Sequence, residues 1–208
     1  MSELSFYFKV IKELDGLGIP YMIVGAFAGL TFGITRATYD VDILVDIEEE
    51  HFEALADRFP PPRYYADPEM MRNSVRLGMM FNLIDTEEGV KADLVPLIRE
   101  PDYVAAFERR MRRTFVDDDD NEFQAWCARP EDIIIGKLRA WAEGQSSKHP
   151  ADIYNILVFL LSGSEETPFD LGIVDRTAAR LGLPVIKLWR ELVARVEGEV
   201  ALRKGGPE

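Results

Sequence analysis

The chain has 208 residues, enough for one large domain or a core domain with a smaller helical attachment. Its net charge of −13, from 24 basic and 37 acidic residues, repels polyanions and argues against tight non-specific DNA or RNA binding, which draws on many Lys/Arg–phosphate contacts. The single cysteine, Cys127, excludes an internal disulfide, and His51 and His149 follow no zinc spacing.

The opening stretch "MSELSFYFKVIKEL" carries charges throughout and lacks the basic and apolar regions of a signal peptide. The longest pure apolar run, "ILVFLL" at 156–161, is too short to span a bilayer. The expectation is a soluble, cytoplasmic protein with no membrane partner.

In chain order, "SFYFKVIKELDGLGI" has the helical spacing Phe6, Val10, Leu14, Leu17 and stops at Gly16 and Gly18. "YMIVGA" reads as a short buried strand, "AFAGLTFG" as small-residue helix closed by Gly33, and "DVDILVD" as a second strand. "EEEHFEALADRF" is an amphipathic helix with acids in its first turn, as the helix dipole favours. "PPPRYY" breaks the chain, and "RLGMMFNLIDT" and "VKADLVPLI" form a strand pair joined around Glu87–Gly89. "PDYVAAFERRMRR" predicts a helix with four arginines, Arg109, Arg110, Arg112 and Arg113, near its C-terminus. "NEFQAWCA" is one more strand, "DDDD" at 117–120 a short acidic loop, and "KGGPE" a frayed tail. The methionines at 70, 71, 79 and 80 and the tryptophans read as core.

From Pro130 the character changes, with four helical stretches separated by Gly, Ser and Pro. The predicted fold class is α+β: a mixed sheet flanked by helices over residues 1–128, followed by a helical bundle over 129–208.

The chemistry concentrates in "TRATYDVDILVD" at 35–46. Asp40 and Asp42 are two apart on a strand and so project together, with Cα atoms roughly 7 Å apart. Like charges brought together are unfavourable unless a cation sits between them, and hard divalent cations are held by one or two carboxylates plus substrate phosphates. The alternative is that the aspartates only solvate the strand's exposed end. Haloacid-dehalogenase phosphatases also place D-x-D after a strand, but with a following threonine that is missing here. Glycosyltransferases use D-x-D as well, without further support in this chain. Upstream, Gly25–Ala26 lies between a strand and a short helix, where glycine lets backbone N–H groups approach an anion.

Glycine followed by a small residue, a short helix, "R-x-T-x-D-V-D-I-L-V" and a later strand aspartate resemble the polymerase-beta-type nucleotidyltransferase superfamily. The resemblance is nearest to its minimal prokaryotic members, including AbiEii-type toxin nucleotidyltransferases, and is strongest over 21–46. It implies a nucleotidyltransferase core that moves an NMP from an NTP to a hydroxyl acceptor and releases pyrophosphate. Gly25 and Ala26 would lie against the nucleotide phosphates, and Asp40 and Asp42 would bind Mg²⁺, two ions in all. Asp93 in "KADLVPL" would complete the carboxylate set, unless it is an edge-strand residue facing water. Lys137 in "PEDIIIGKLRAW" would lie near the phosphates, unless it is a surface lysine, with Asp152 of "SSKHPADIYNIL" as its partner. Arg36 and Thr38 match the family's R-x-T, Arg36 either contacting a phosphate or fixing its loop. Tyr39 is a candidate to stack on a base.

Two departures from the family pattern stand out. Its frequent serine after the glycine is Ala26, and the expected Lys-Asp ahead of the last aspartate reads Lys148-His149. The partners implied are an NTP, an acceptor (a small molecule, a protein or an RNA end) and, in the toxin branch, an antitoxin. A non-catalytic nucleotide-binding or interaction module of the same fold is the competing reading.

Overall fold

A computed structural model describes residues 3–36, 38, 40–97, 101–116, 120, 122–163 and 169–204. Tyr39, the acidic run at 117–119 and the tail from 205 lie outside the described residues. By packing, the chain divides into two units. One comprises residues 1–27 and 37–128, the other residues 28–36 and 129–208. The segment 28–36, which the sequence suggests belongs with the N-terminal part, clusters with the helices.

In the first unit seven strands among the described residues form one mixed sheet: β1 (Tyr21–Val24), β2 (Val41–Val45), β3 (Tyr64–Tyr65), β4 (Phe81–Asp85), β5 (Val90–Pro96), β6 (Met111–Val116) and β7 (Glu122–Cys127). Their order is β3-β4-β5-β2-β1-β7-β6. β2 pairs parallel with β5, and β1 parallel with β7, while the other neighbours run antiparallel. β5 and β2 are thus interior strands, read from near-continuous apolar runs as buried strands should be.

Helix α1 (Glu3–Gly16) buries Phe6, Tyr7, Val10, Ile11 and Leu14. Phe6 stacks on Tyr64 and meets Phe59 edge-on. Phe27, Phe115 and Phe123 make a second aromatic group. α2 (Gly25–Gly29) follows β1 directly, and α3 (His51–Arg58) buries Phe52 and Leu55.

Three expectations are corrected here. Residues 68–77, of which "RL" at 76–77 was expected to open a strand, form helix α4 (Pro68–Leu77). Asp67 accepts from the Glu69 and Met70 amides, and Gly78 closes the helix in the left-handed region. Only Met71 of the four methionines is fully buried, while Met79 and Met80 are exposed. Of the tryptophans, Trp189 is buried, whereas Trp126 and Trp141 are half-buried. The arginine run also does not end a helix. α5 (Pro101–Glu108) stops earlier, and Met111–Val116 is edge strand β6.

The second unit holds a 3₁₀ turn (Leu30–Phe32) and helices α6 (Pro130–Gly144), α7 (Lys148–Leu161), α8 (Leu171–Leu181) and α9 (Leu183–Lys204). Ile134, Leu138, Ile153, Ile156, Leu157, Val174, Trp189 and Val196 are fully buried in it. Phe32 packs edge-on against Phe159 with ring centres 6.4 Å apart. Among the described residues no helix is long and apolar enough to cross a membrane.

Candidate functional site

The sheet unit places three of the candidate carboxylates around one cation. Asp42 and Asp93 face each other in register across the parallel β2–β5 pair. Asp93 is buried, on an interior strand rather than at an edge. Asp40 immediately precedes β2 and is exposed. Lys91, two residues before Asp93 and therefore on the same face of β5, holds both Asp93 oxygens at 2.7 Å. The same ammonium lies 3.7 Å from Asp40 Oδ1. Its hydrogen bond to Asp93 raises the Lys91 pKa, and the charges of Asp93, Asp40 and Asp42 add to that against the opposing effect of burial. Asn82 Nδ2 of β4 donates to Asp93 Oδ1 from the other side.

Gly25 completes this arrangement. It turns the chain from β1 into α2 with a φ of +68°, and a Cβ added there would collide with the Asp42 carboxylate. Glycine is therefore required twice over, by conformation and by space. Ala26 follows it and is 9% exposed. The Thr38 hydroxyl donates to the Asp40 carbonyl at 3.1 Å and so orders the approach to the aspartates.

Among the described residues no group of three or more His, Cys, Asp or Glu side chains is assembled to hold a metal ion. The carboxylates gather around the Lys91 ammonium instead. The chemistry of the set nonetheless suits a hard divalent cation. Two carboxylates oppose each other on adjacent strands, a third adjoins them, the Asp42 side chain fills the space that Gly25 leaves, and phosphates supply the usual remaining ligands.

The helical unit gathers a second cluster. Lys137 of α6 and Asp152 of α7 are both buried, and Lys137 Nζ donates to Asp152 Oδ2 at 2.6 Å. Arg36 grips the same carboxylate bidentately, Nε to Oδ1 at 2.8 Å and Nη2 to Oδ2 at 2.9 Å. Burial pushes the Asp152 pKa up, but the bonds from Arg36 and Lys137 outweigh it and hold the carboxyl below its ordinary range. Lys137 is no surface lysine, and Arg36 is fixed to Asp152. His149, at the start of α7, has its pKa lowered by burial and then by the charges of Lys137 and Lys148.

The four arginines do not form one patch of a helix end. Arg110 lies over the Phe107 and Trp126 rings, and Arg112 also over Trp126. Lys91 and Asn82 are the site residues that the motif reading missed. The signal for Lys91 was its two-residue spacing from Asp93, which puts both on one strand face.

No family model matches the chain, and no curated protein matches it by sequence. Among solved structures it is similar to an antigenic nucleotidyltransferase-like protein from Paracoccidioides brasiliensis, with a TM-score of 0.55 at 18% identity over 94% of this chain and 92% of that one. The chain has a nucleotidyltransferase fold. Weaker similarity extends to the ANT(2")-Ia protein in complex with adenylyl-2"-tobramycin, with a TM-score of 0.49 at 15% identity over 87% of this chain and 97% of that one. A CCA-adding enzyme with CTP matches at a TM-score of 0.32 and 16% identity, over 83% of this chain and 49% of that one. The fold assignment rests on the first. Within this nucleotidyltransferase fold the aspartates occupy adjacent interior strands, β2 and β5, and Gly25 is at the strand-to-helix turn beside them.

Proposed function

We propose that this protein is a metal-dependent nucleotidyltransferase, moving an NMP from an NTP to a hydroxyl acceptor with release of pyrophosphate. One observation carries the reading: Asp42 and Asp93 oppose each other in register, with Asp40 alongside, around a site that already holds a positive charge.

Asp40, Asp42 and Asp93 would hold Mg²⁺, two ions in such sites. Bound there with the triphosphate, the metal would supply Lewis-acid stabilisation of the charge that develops during transfer. Asp93, buried and bonded by Asn82, would draw the proton from the acceptor hydroxyl. Gly25 and Ala26 would lend backbone N–H groups to the phosphates, since a glycine leaves the backbone open to close approach by an anion. The acceptor is a hydroxyl-bearing small molecule, protein side chain or RNA end.

Calorimetric titration of ATP and the other NTPs, with and without Mg²⁺, tests this. Wild-type protein is expected to bind an NTP only with metal, and Asp42→Asn to lose that binding while keeping its fold. Removing such an electrostatic group lowers turnover by about 100-fold or more where transfer is followed. A second reading, a non-catalytic nucleotide-binding module, is favoured by the Lys91 ammonium already neutralising Asp93. It predicts NTP binding indifferent to metal and unchanged in Asp42→Asn, a result that would replace the transferase reading.

A further inference from the structure

We infer that Lys91 is a built-in counter-ion for the carboxylate cluster, holding the aspartates in place without metal and setting how tightly a divalent cation binds when it displaces the ammonium. The inference rests on the nucleotidyltransferase reading and adds to it a residue that tunes metal affinity.

Three features support it. Lys91 Nζ holds both oxygens of Asp93 at 2.7 Å and lies 3.7 Å from Asp40, so one ammonium answers two of the three carboxylates directly. A buried aspartate on an interior strand calls for such compensation, since an unpaired buried charge is costly. Asp93 needs a cation whether or not metal is present, and Lys91 supplies it.

The second feature is that this cation can leave. The Lys91 side chain is 44% exposed whereas that of Asp93 is 8% exposed. An ammonium on a flexible four-carbon stem can swing its head into water, while the aspartate stays on its strand. Asn82 keeps its own bond to Asp93 Oδ1 and holds the carboxylate orientation during the exchange.

The third is charge. The charges of Asp93, Asp40 and Asp42 all favour the Lys91 ammonium, and a divalent cation would meet the same carboxylates with twice the charge. An arriving cation gains three carboxylates but must displace one charge-assisted pair. Lys91 therefore weakens metal binding while keeping the ligands ordered for it.

The test follows Mn²⁺, used for its paramagnetic signal, by titrating free Mn²⁺ with wild-type, Lys91→Met and Lys91→Arg proteins, each with and without ATP. Lys91→Met is expected to bind Mn²⁺ about tenfold more tightly than wild type, the change set by one charge-assisted pair. Lys91→Arg keeps the charge and is expected to stay near wild-type affinity. Circular dichroism checks that each variant is folded. If Lys91→Met unfolds, Lys91→Gln takes its place with the same expectation. Equal or weaker Mn²⁺ binding in the folded neutral variant, beside measurable wild-type binding, overturns the role of Lys91 and leaves the transferase reading intact. No Mn²⁺ binding by any of the proteins, with or without ATP, overturns the transferase reading and this inference together.

Discussion

The two ionic clusters have opposite designs. In the sheet unit, Asp93 and Asp40 share one half-exposed lysine, on which the charge of Asp42 also acts. In the helical unit, one buried carboxylate is shared by a buried lysine and a bidentate arginine. Asp152 receives both of its cations through direct hydrogen bonds, so its ion pairs are complete within the unit. The sheet cluster is neutralised by a group that water reaches. The first pattern leaves its counter-ion open to water, and the second ties Arg36, α6 and α7 to one carboxylate.

The largest effect expected follows from breaking the helical cluster. Asp152→Ala leaves the Lys137 ammonium buried without its carboxylate, and removing one partner of a buried pair costs about 3–5 kcal/mol. Chemical denaturation followed by circular dichroism measures it. A loss under about 1 kcal/mol would place this cluster in the same half-solvated class as Lys91.

Gly25→Ala probes the sheet cluster through its backbone. A non-glycine residue at a φ of +68° is strained, and here the added methyl also meets the Asp42 carboxylate. Such strain costs about 1–3 kcal/mol, and nucleotide binding with metal is expected to fall more than stability does. Equal binding by the variant would mean that the space beside Asp42 is not needed by the ligand.

Acid sharpens the contrast with the smallest effect. His149 titrates below its ordinary 6.5, so the folded state disfavours its proton, and stability declines as pH falls from that value toward the lowered one. Asp152 is held below its ordinary 3.8, so its contribution is present above that pH and is lost as pH falls through the range beneath it. Melting temperature against pH should show two descending steps, and His149→Gln should remove only the upper one.

Much of the sheet site was legible because strand periodicity is simple. "DVDILV" and "KADLV" place their aspartates at fixed alternation, and the structure sets Asp42 and Asp93 side by side. Lys91 leaves little trace because a lysine near the start of a strand resembles any solvated residue, and its role appears only when Asp40, just ahead of β2, lies beside it. Helix α4 has readable caps in Asp67-Pro68 and Gly78, but the apolar run of "RLGMMFNLIDT" across its end has a strand's character. "ERRMRR" was misread because apolar spacing after Pro101 suits a helix. The Arg110 amide instead closes the turn onto Phe107, and the following residues pair with β7. Pairing across 116 positions, as between Arg36 and Asp152, leaves no local trace in a sequence.

The segment 28–36 gives the two units an interleaved order along the chain, with crossings after 27, after 36 and after 128. A single cut at residue 128 therefore yields neither unit whole. The fragment 129–208 would lack Phe32 against Phe159 and Arg36 on Asp152, leaving a gap in its core and a buried acid short of one cation. The helical unit thus cannot be passed between genes as one contiguous cassette. A recombination that swaps it must carry a nine-residue insert from the other half as well.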